Sequence, residues 1–402
     1  MKKEKNALIV ASVASMINQF IIPSIKLLID MGYNVDVATN FVKGSPCSGE
    51  TIKELIHTLD ELSVDCYHID FDRKVKDVRA DFKAFKQLDN VVRGTAEPIN
   101  MRHHHIDTGN SYGFIHSHSP IGGVVGRIIG KRHGIKNIYT AHGFHFYDGA
   151  PKKNWFLFYP IEKELSRITD VLITINKEDY KRASEHFHAK ETIYIPGVGL
   201  DIEKFKNVSV DREKKRAELG LKNDDLMLLS VGELNENKNH RVVIEAIGMM
   251  DENERGLLHY FIAGMNTGQR DELEKLAEEK SVNLYLLGFR TDIPELLKSA
   301  DVFLLPSIRE GLNVGLMEAM ASGLPCIVSD IRGNRDLISE EGGSAVDAKN
   351  PLEWKIGINR LGNADLIKMG KHNSRVIERF GFKYVNNRLE KVYQKMMLKR
   401  TL

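Results

Sequence analysis

Short apolar runs alternate with helix-length segments along the whole chain. Residues 20–31 and 81–92 illustrate the helical segments, because their apolar positions recur about every 3.6 residues. The apolar runs are strand candidates and cover residues 7–14, 34–39, 66–69, 114–117, 137–141, 171–175, 192–196, 226–231, 259–263, 283–287, 302–305 and 326–329. This alternation predicts an α/β fold in which helices cover both faces of parallel sheets.

The alternation restarts near Leu226, after a proline- and glycine-containing segment at residues 196–201 that is typical of a hinge. A short charged helix at 211–219 follows. We therefore expect two domains, residues 1–198 and 199–381, and a closing helix over 382–402 that returns toward the first domain. Its apolar stripe, spaced by three and four residues, predicts core packing and consists of Phe382, Val385, Leu389, Val392 and Met396.

Composition narrows the functional classes. The apolar fraction of 42% and the charged fraction of 28% are ordinary for a soluble globular protein, and a net charge of +2 gives no reason to expect a nucleic-acid partner. Cys47, Cys66 and Cys326 form no paired motif, which favours a reducing compartment. No apolar run reaches the roughly 18–20 residues of a membrane span, so we expect a cytoplasmic protein. Twelve of the fifteen histidines lie in residues 1–200, where proton chemistry is therefore expected.

Two strand ends in the second half carry candidate binding residues. Gly232 ends one strand, and a helix is predicted to begin at Asn237 or Lys238, where the lysine could pair with a phosphate near the helix terminus. Gly288 ends another strand and opens the backbone at Phe289 and Arg290 to a flat ligand such as a base. Each motif alone is weak, since a lysine at a helix start is usually just solvated.

Residues 306–325 carry the most specific pattern. A strand runs into a loop, and a helix predicted from about Asn313 ends at a glycine and a proline. Glu310 lies on the loop and Glu318 lies past the first helical turn, so the two carboxylates can hold two ends of one ligand. The amides of Gly311, Leu312 and Asn313 lie between them, at the helix terminus that favours a diphosphate.

This segment, R-E-G-L followed by M-E-A-M-A-S-G-L-P, resembles the donor signature of the retaining glycosyltransferases of family 4. The similarity continues through I-H-S-H-S-P at 115–120, Y-T-A-H-G-F-H-F at 139–146, I-T-I-N-K-E-D at 173–179 and I-P-G-V-G at 195–199. These segments are similar to the branch that builds bacterial capsular polysaccharides and exopolysaccharides. The resemblance covers nearly the whole chain and implies the GT-B fold, two Rossmann-like domains facing each other across a cleft.

The resemblance implies a role for each motif residue of the second domain. Glu318 would bind the donor ribose, Glu310 the transferred sugar and Lys238 a phosphate, while the backbone of residues 311–313 would hold the diphosphate. The donor would be a nucleotide-diphosphate sugar, expected to be a UDP-sugar. The acceptor would be a glycan or a polyprenyl-linked glycan of cell-surface polysaccharide synthesis, and the anomeric configuration would be retained.

In the first domain the resemblance assigns His142 to the position of a histidine that orients the transferred sugar and supports developing charge. His116, His118 and His145 flank it, and His118 is expected to contact substrate. For any of these the alternative is a structural histidine. Ser15 lies in the loop 12–16, which lacks the Gly-Gly that many members of the family have there. This loop and the irregular segment 93–112 are expected to shape the acceptor site.

Three features bear on charge neutralisation and metal binding. Many members of the family carry an arginine where this chain has Glu233; Arg309 or Arg241 could supply the second cation instead. No D-x-D pair follows a strand of the second half, where the donor motif lies, so no metal cofactor is expected, and Lys238 with a helix terminus would neutralise the leaving group. The triplet His103–His105 lacks the spacing of a zinc site and is better interpreted as a solvated loop.

Other functions remain open at this point. A non-hydrolysing sugar-nucleotide epimerase shares the two-domain fold, and a non-catalytic module could bind a nucleotide sugar without turnover. A dinucleotide oxidoreductase is disfavoured, because no G-x-G-x-x-G follows a strand. Basic residues could place the protein peripherally on the inner face of a membrane, although a solvated charged face is the alternative. They form two groups: Arg73, Lys74, Lys76, Arg79, Lys83 and Lys86, and Arg127, Lys131 and Arg132.

Overall fold

We describe the protein from a computed structural model. The described residues are 5–42, 48–71, 78–103, 112–118, 120–362 and 364–397. The chain divides into two compact units, Met1–Gly199 with Lys383–Leu402, and Leu200–Phe382. Several residues singled out above lie outside the described part of the chain: Cys47, Arg73, Lys74, Lys76, His104 and His105.

The first unit is built on a parallel seven-stranded sheet of order β3-β2-β1-β4-β5-β6-β7. Its strands are β1 Asn6–Val10, β2 Asn34–Thr39, β3 Asp65–His68, β4 Phe114–His118, β5 Lys136–Ala141, β6 Val171–Thr174 and β7 Glu191–Tyr194. Its helices are α1 Ala14–Met16, a π-helix Ile17–Ile21, α2 Ile22–Asp30, α3 Gly49–Glu61, α4 Val78–Val92, α5 Pro120–His133, α6 Lys152–Ser166 and α7 Lys177–His186.

The sheet of the first unit has an apolar core on each face. Successive residues of a strand point to opposite faces, so Ala7 and Ile9 of β1 pack in one core and Leu8 and Val10 in the other. The closing helix of the chain contributes Val385, Leu389, Val392 and Tyr393 to the first of these cores. Core packing of that apolar stripe is therefore confirmed.

The second unit contains a parallel six-stranded sheet of order β10-β9-β8-β11-β12-β13. Its strands are β8 Leu226–Val231, β9 Leu258–Ala263, β10 Asn283–Gly288, β11 Val302–Leu305, β12 Cys326–Ser329 and β13 Gly343–Val346. The helices that follow α7 along the chain are α8 Ile202–Lys206, α9 Arg212–Glu218, α10 His240–Gly248, α11 Glu252–Gly256, α12 Arg270–Glu279, α13 Ile293–Ser299, α14 Val314–Ala321, α15 Asn334–Leu337, α16 Pro351–Gly362, α17 Leu366–Val376, a 3-10 turn Ile377–Phe380 and α18 Phe382–Met397.

The two parallel-sheet α/β units confirm the predicted fold class. The first strand is shorter than expected, because β1 ends at Val10 and the chain turns into α1 at Ala14. The sequence pattern missed β13, a short strand of sequence G-S-A-V that offers little hydrophobic signal. In both sheets the strand order reverses beside the first strand of the unit, between β1 and β4 and between β8 and β11. Loops after the carboxyl ends of such neighbouring strands form the usual ligand crevice of this architecture.

Candidate functional site

The loops that follow β8 and β11 meet at this crevice in the second unit. The backbone N–H of Ile308 donates to the carbonyl of Asn237 at 2.8 Å. The side-chain amide of Asn237 donates to the carbonyl of Arg309 at 3.1 Å. These two bonds tie the loops to each other and hold the residues after both strands at one edge of the sheet.

The Lys238 ammonium group donates to the Glu310 carboxylate at 2.7 Å. Both side chains are largely shielded from solvent, with 19% of Lys238 and 14% of Glu310 exposed. The resemblance assigned these residues separately to a phosphate and to a sugar, and the structure shows them as one ion pair. Gly232 makes room for the pair, because a Cβ at this position would lie 3.1 Å from Cε of Lys238.

The helix after this loop begins later than the sequence predicted. It starts at His240, and not at Asn237 or Lys238, because Asn239 adopts a left-handed backbone conformation with φ of 52°. The Asn239 side-chain amide holds that conformation by donating to the carbonyls of Pro306 at 3.2 Å and Ala348 at 2.7 Å. Lys238 therefore lies on a loop fixed from two sides and not on a helix.

The loop before α14 presents backbone donors. Asn313 caps this helix by accepting a hydrogen bond from the N–H of Leu316 at 2.9 Å, in the position expected for the helix start. Among the described residues, none accepts a hydrogen bond from the N–H groups of Gly311, Leu312 or Asn313. Such open donors at the positive end of a helix suit an anion.

Glu318 occupies the second turn of α14 and is partly buried. No group in the described part of the chain donates a hydrogen bond to its carboxylate. Burial raises the pKa of Glu318 from 4.5 to about 7, a rise that the positive charge of Lys204 reduces. A shielded carboxylate without a donor costs free energy, and hydroxyl groups of a ligand would supply the missing hydrogen bonds.

We expect Glu318→Gln to stabilise the ligand-free protein at neutral pH. The pKa of Glu318 in the folded protein is about 7, above the ordinary 4.5. Below pH 4.5 this carboxyl group is protonated in both the folded and the unfolded wild type, so its burial does not lower the free energy of unfolding. The free energy of unfolding of wild type then falls as the pH rises and levels off above the folded pKa. The variant should gain on the order of 2 kcal/mol at about pH 8 and nothing in acid. Urea unfolding at several pH values measures this, with the exposed Glu340→Gln as the matched control. Parallel pH profiles of wild type and Glu318→Gln would contradict the assignment.

Arg332 follows β12, is buried, and was not predicted from the sequence as a site residue. Its guanidinium Nε lies 3.4 Å from the carbonyl oxygen of Glu310. The next residue, Gly333, has φ of +81°, and a Cβ there would lie 2.2 Å from the carbonyl oxygen of Gly311. The signal was a basic residue and a glycine that begin three residues after a buried strand, and Arg332 is a second cation beside the loop of Glu310.

Two of the other cations considered from the sequence, Arg241 and Arg290, are paired with acidic side chains outside the Lys238–Glu310 pair. Arg241 pairs with Glu245 at 2.9 Å and Glu272 at 2.7 Å on the surface of α10. Arg290 forms a two-pronged pair with Asp292 at 2.7 and 2.5 Å. Arg309 is exposed.

The remaining predicted positions near the site lie at strand ends. Gly288 ends β10 with φ of +67°. Phe289, which follows it, is 73% exposed. Glu233 is exposed and accepts a hydrogen bond from Asn235 at 2.9 Å, so this carboxylate replaces the family arginine without entering the Lys238–Glu310 pair.

In the first unit three histidines lie side by side on β4 and directly after β5. His118 Nδ1 and His142 Nε2 are 3.1 Å apart, so one donates to the other. The rings of His116 and His118 lie 4.1 Å apart. Burial lowers the pKa of His116 to about 3 and that of His142 to about 4, and it lowers the pKa of His118 as well. All three are therefore neutral at physiological pH.

These histidines line a pocket within the first unit, together with Phe20, Ser24 and Val198. Nε2 of His118 has no hydrogen-bond partner among the residues that the structure describes. His116 is held from both sides, by the Tyr393 hydroxyl at 3.0 Å and the Thr140 hydroxyl at 2.8 Å, and so matches the structural alternative. His118 and His142 remain the candidates for contact with a ligand.

A second pocket of the first unit lies beside His142 and is lined by His145, Met16 and Phe158. Ser15 is buried in α1 and is not among the residues that line either pocket. His103, the described member of the histidine triplet, is mostly buried and pairs with Asp60 at 2.9 Å, so it is not solvated as the sequence suggested.

The prediction that Arg127 belongs to a basic surface cluster is wrong. Arg127 was assigned to a surface group with Lys131 and Arg132, but its side chain is fully buried. It pairs with Glu162 at 2.9 Å and lies over the Tyr139 ring at 3.9 Å.

Within the described ranges, no group of three or more His, Cys, Asp and Glu side chains could hold a metal ion. No helix among those residues is long and apolar enough to cross a membrane.

Comparison with known proteins identifies the class. Residues 211–379 match the family described as Glycosyl transferases group 1, and residues 9–176 match Glycosyl transferase 4-like. EpsD of Bacillus subtilis (strain 168), named as a presumed glycosyltransferase, is 36% identical over 360 residues, which is 88% of this chain and 84% of EpsD. The protein is thus a glycosyltransferase. The chain belongs to the family of group 1 and 4-like glycosyltransferases, and the resemblance stated from its motifs is confirmed.

One more distant relative and two solved structures are also similar to this chain. A UDP-Gal:alpha-D-GlcNAc-diphosphoundecaprenol alpha-1,3-galactosyltransferase of Escherichia coli is 33% identical over 237 residues, 57% of this chain and 61% of that enzyme. The crystal structure of Anabaena Alr3699/HepE in complex with UDP and glucose is 16% identical with a TM-score of 0.73, covering 98% of this chain and 100% of that one. WaaG, a glycosyltransferase involved in lipopolysaccharide biosynthesis, is 15% identical with a TM-score of 0.68, covering 96% and 99%. At these identities the structures show the fold, and the GT-B class is confirmed.

Proposed function

We propose that this glycosyltransferase moves a sugar from a UDP-sugar to a glycan or polyprenyl-linked acceptor of cell-surface polysaccharide synthesis, with retention of configuration. The observation that carries the proposal is the arrangement in the second unit. A shielded carboxylate without a donor, Glu318, lies on the same helix-and-loop segment as open backbone donors and Glu310, whose carboxylate pairs with Lys238 of the loop after β8. Hydroxyl, diphosphate and sugar are the ligand groups that these three features suit.

The donor would use each of these groups in turn. Ribose hydroxyls donate to Glu318, and the N–H groups of residues 311–313 donate to the diphosphate. Lys238 turns from Glu310 to the diphosphate, which carries more charge than one carboxylate. Glu310 is then released to accept hydrogen bonds from the sugar. When the glycosidic bond to the phosphate oxygen breaks, the anomeric carbon bonds to the acceptor oxygen on the same face, and the proton of the acceptor hydroxyl passes to the departing phosphate oxygen. The backbone N–H groups and Lys238 stabilise the negative charge that develops on the nucleotide diphosphate.

His142 is assigned to the transferred sugar by its family position. Its pKa of about 4 in the ligand-free state makes it a neutral hydrogen-bonding group at physiological pH. The hydrogen bond of 3.1 Å between His118 Nδ1 and His142 Nε2 holds the ring in place. Its part in the reaction would then be orientation of a sugar hydroxyl and not the supply of a permanent positive charge.

The names of related proteins support the substrate classes. HepE was solved with UDP and glucose, which fits a UDP-sugar donor. The Escherichia coli relative acts on a diphosphoundecaprenol-linked sugar, which fits a polyprenyl-linked acceptor. A cytoplasmic enzyme at the inner membrane face would meet both substrates.

A purified preparation given a panel of nucleotide sugars should consume one of them only when a lipid-linked acceptor is present. Conversion without an acceptor would indicate an epimerase, and binding without conversion a non-catalytic module.

We expect activity to persist in excess EDTA. The proposed charge neutralisation is supplied by Lys238 and the amides of residues 311–313, with Arg332 beside the Glu310 carbonyl at 3.4 Å. The measurement is the initial rate of sugar transfer before and after chelation, with a metal-dependent glycosyltransferase as the assay control. Loss of turnover that Mg²⁺ or Mn²⁺ restores would show that the residues do not replace a metal.

A further inference from the structure

The outer face of α6 is apolar although it points to solvent. Phe156 is 82% exposed, Leu157 50% and Ile161 40%, and Pro160 between them is exposed as well. Positions 156, 157, 160 and 161 follow the helical repeat and form one continuous patch. Single exposed apolar side chains are common on soluble proteins, but a contiguous patch indicates an interaction surface.

The opposite face of α6 fixes which side points outward. Trp155, Phe158 and Tyr159 pack on an aromatic cluster of the first unit. Glu162 forms the buried pair with Arg127 at 2.9 Å, so rotation of the helix would bury a charge without its partner. The patch therefore cannot turn inward, and Phe156 and Leu157 are held in an exposed position.

Basic side chains surround the patch. Lys152 and Lys153 are exposed in the first turn, Lys163 lies 5.9 Å from the Tyr159 ring centroid on the flank, and Arg167 follows the helix. The one exposed acid of this segment, Glu164, is paired with Arg167 at 3.1 Å. An apolar stripe with lysines beside it complements an anionic lipid surface, into which such a helix inserts its apolar side chains parallel to the interface.

We propose that the outer face of α6 docks this enzyme on an anionic lipid bilayer. The inner face of the same helix lines the pocket that contains His142, through Phe158 and Glu162. The Asn154 side-chain amide also holds the His142–Phe146 segment by donating to the carbonyl of His145 at 2.9 Å. Docking through α6 therefore brings this pocket next to the membrane. The inference rests on the proposed lipid-linked acceptor, and it moves the membrane contact away from the basic groups predicted from the sequence.

Co-sedimentation of the full chain with vesicles tests the docking face. One set of vesicles is phosphatidylcholine alone, and the other contains equal parts of phosphatidylcholine and phosphatidylglycerol. Wild type should bind the second set more strongly. Phe156→Ser with Leu157→Ser should lower the partition coefficient at least about tenfold. Lys152→Glu with Lys153→Glu should lower it at least about fivefold, on the anionic vesicles only.

Matched controls come from elsewhere in the chain. Ile367→Ser removes an apolar side chain that is 70% exposed in the second unit, and Lys371→Glu reverses an exposed charge there; both should bind vesicles like wild type. Lys83→Glu with Lys86→Glu tests the described lysines of the basic group predicted on α4. Loss of binding in that variant, with α6 variants like wild type, would overturn the proposal. So would equal binding of wild type to both vesicle types.

Two further measurements separate this proposal from its alternatives. If Phe156→Ser with Leu157→Ser abolishes self-association without vesicles while vesicle binding is unchanged, a second copy covers the face and the proposal is wrong. UDP binding and transfer to a water-soluble short-chain acceptor should be the same in wild type and the α6 variants. Absence of both activities in wild type would refute the proposed function and not the docking face.

Discussion

Glu310→Gln is expected to abolish most turnover while leaving binding of the nucleotide diphosphate at least as strong as in wild type. The carboxylate contacts the sugar in the proposed complex, and a hydrogen bond to a charged group contributes roughly 1.5–3 kcal/mol, so the rate should fall about 10- to 150-fold. The bare nucleotide lacks the sugar, and the substitution frees Lys238 from its partner at 2.7 Å. The loss should therefore appear in the rate and not in nucleotide affinity.

Initial rates with the full donor and calorimetric titration with UDP separate the two effects. Glu245→Gln is a matched control, because this glutamate pairs with Arg241 on the surface of α10 and should retain the wild-type rate. A Glu310→Gln variant that loses UDP binding in proportion to its rate would show that this carboxylate serves the nucleotide and not the sugar.

Lys238→Met is expected to lower kcat/KM by about 100- to 1,000-fold, the usual effect of removing one preorganised group from a developing oxyanion. Two losses combine in this variant. The diphosphate loses its ammonium partner, and Glu310, only 14% exposed, loses the cation beside it. Binding of UDP should weaken as well, in contrast to Glu310→Gln.

Arg241→Met provides the comparison for Lys238→Met, since Arg241 lies on the next helix but pairs with Glu245 and Glu272. Its kcat/KM should stay within about twofold of wild type. Gly232→Ala adds a second check, because the new methyl group would lie 3.1 Å from Cε of Lys238 and should displace the lysine. Normal kinetics in Lys238→Met would show that the amides of residues 311–313 suffice for the leaving group.

Much of the fold follows from local pattern. The boundaries of β2, β8, β11 and β12 agree with the apolar runs, because each buried strand is bounded by polar or turn residues. The helix after β8 was placed too early, since its start depends on a left-handed Asn239 that is held by carbonyls of Pro306 and Ala348. Such partners are distant along the chain and are invisible to a window of neighbouring residues.

The site was predictable as a set of residues but not as a set of contacts. The motif identified Glu310, Glu318 and Lys238, whereas the ion pair between residues 72 positions apart follows from the adjacency of β8 and β11. Arg127 shows the opposite error. A basic residue among apolar and glycine positions looked exposed, but α5 packs so closely on the sheet that a Cβ on Gly123 would lie 2.3 Å from the Tyr139 ring. Its guanidinium is therefore buried on Glu162.

Glu318 is the carboxylate on which the proposed nucleotide site of the second unit depends most. Calorimetric titration of wild type and Glu318→Gln with UDP at neutral pH tests this directly. The structure provides no donor for that carboxylate in the described part of the chain, and ribose hydroxyls are proposed to fill that role. We expect UDP to bind Glu318→Gln at least about tenfold more weakly than wild type. Equal affinity of the two proteins for UDP would contradict it.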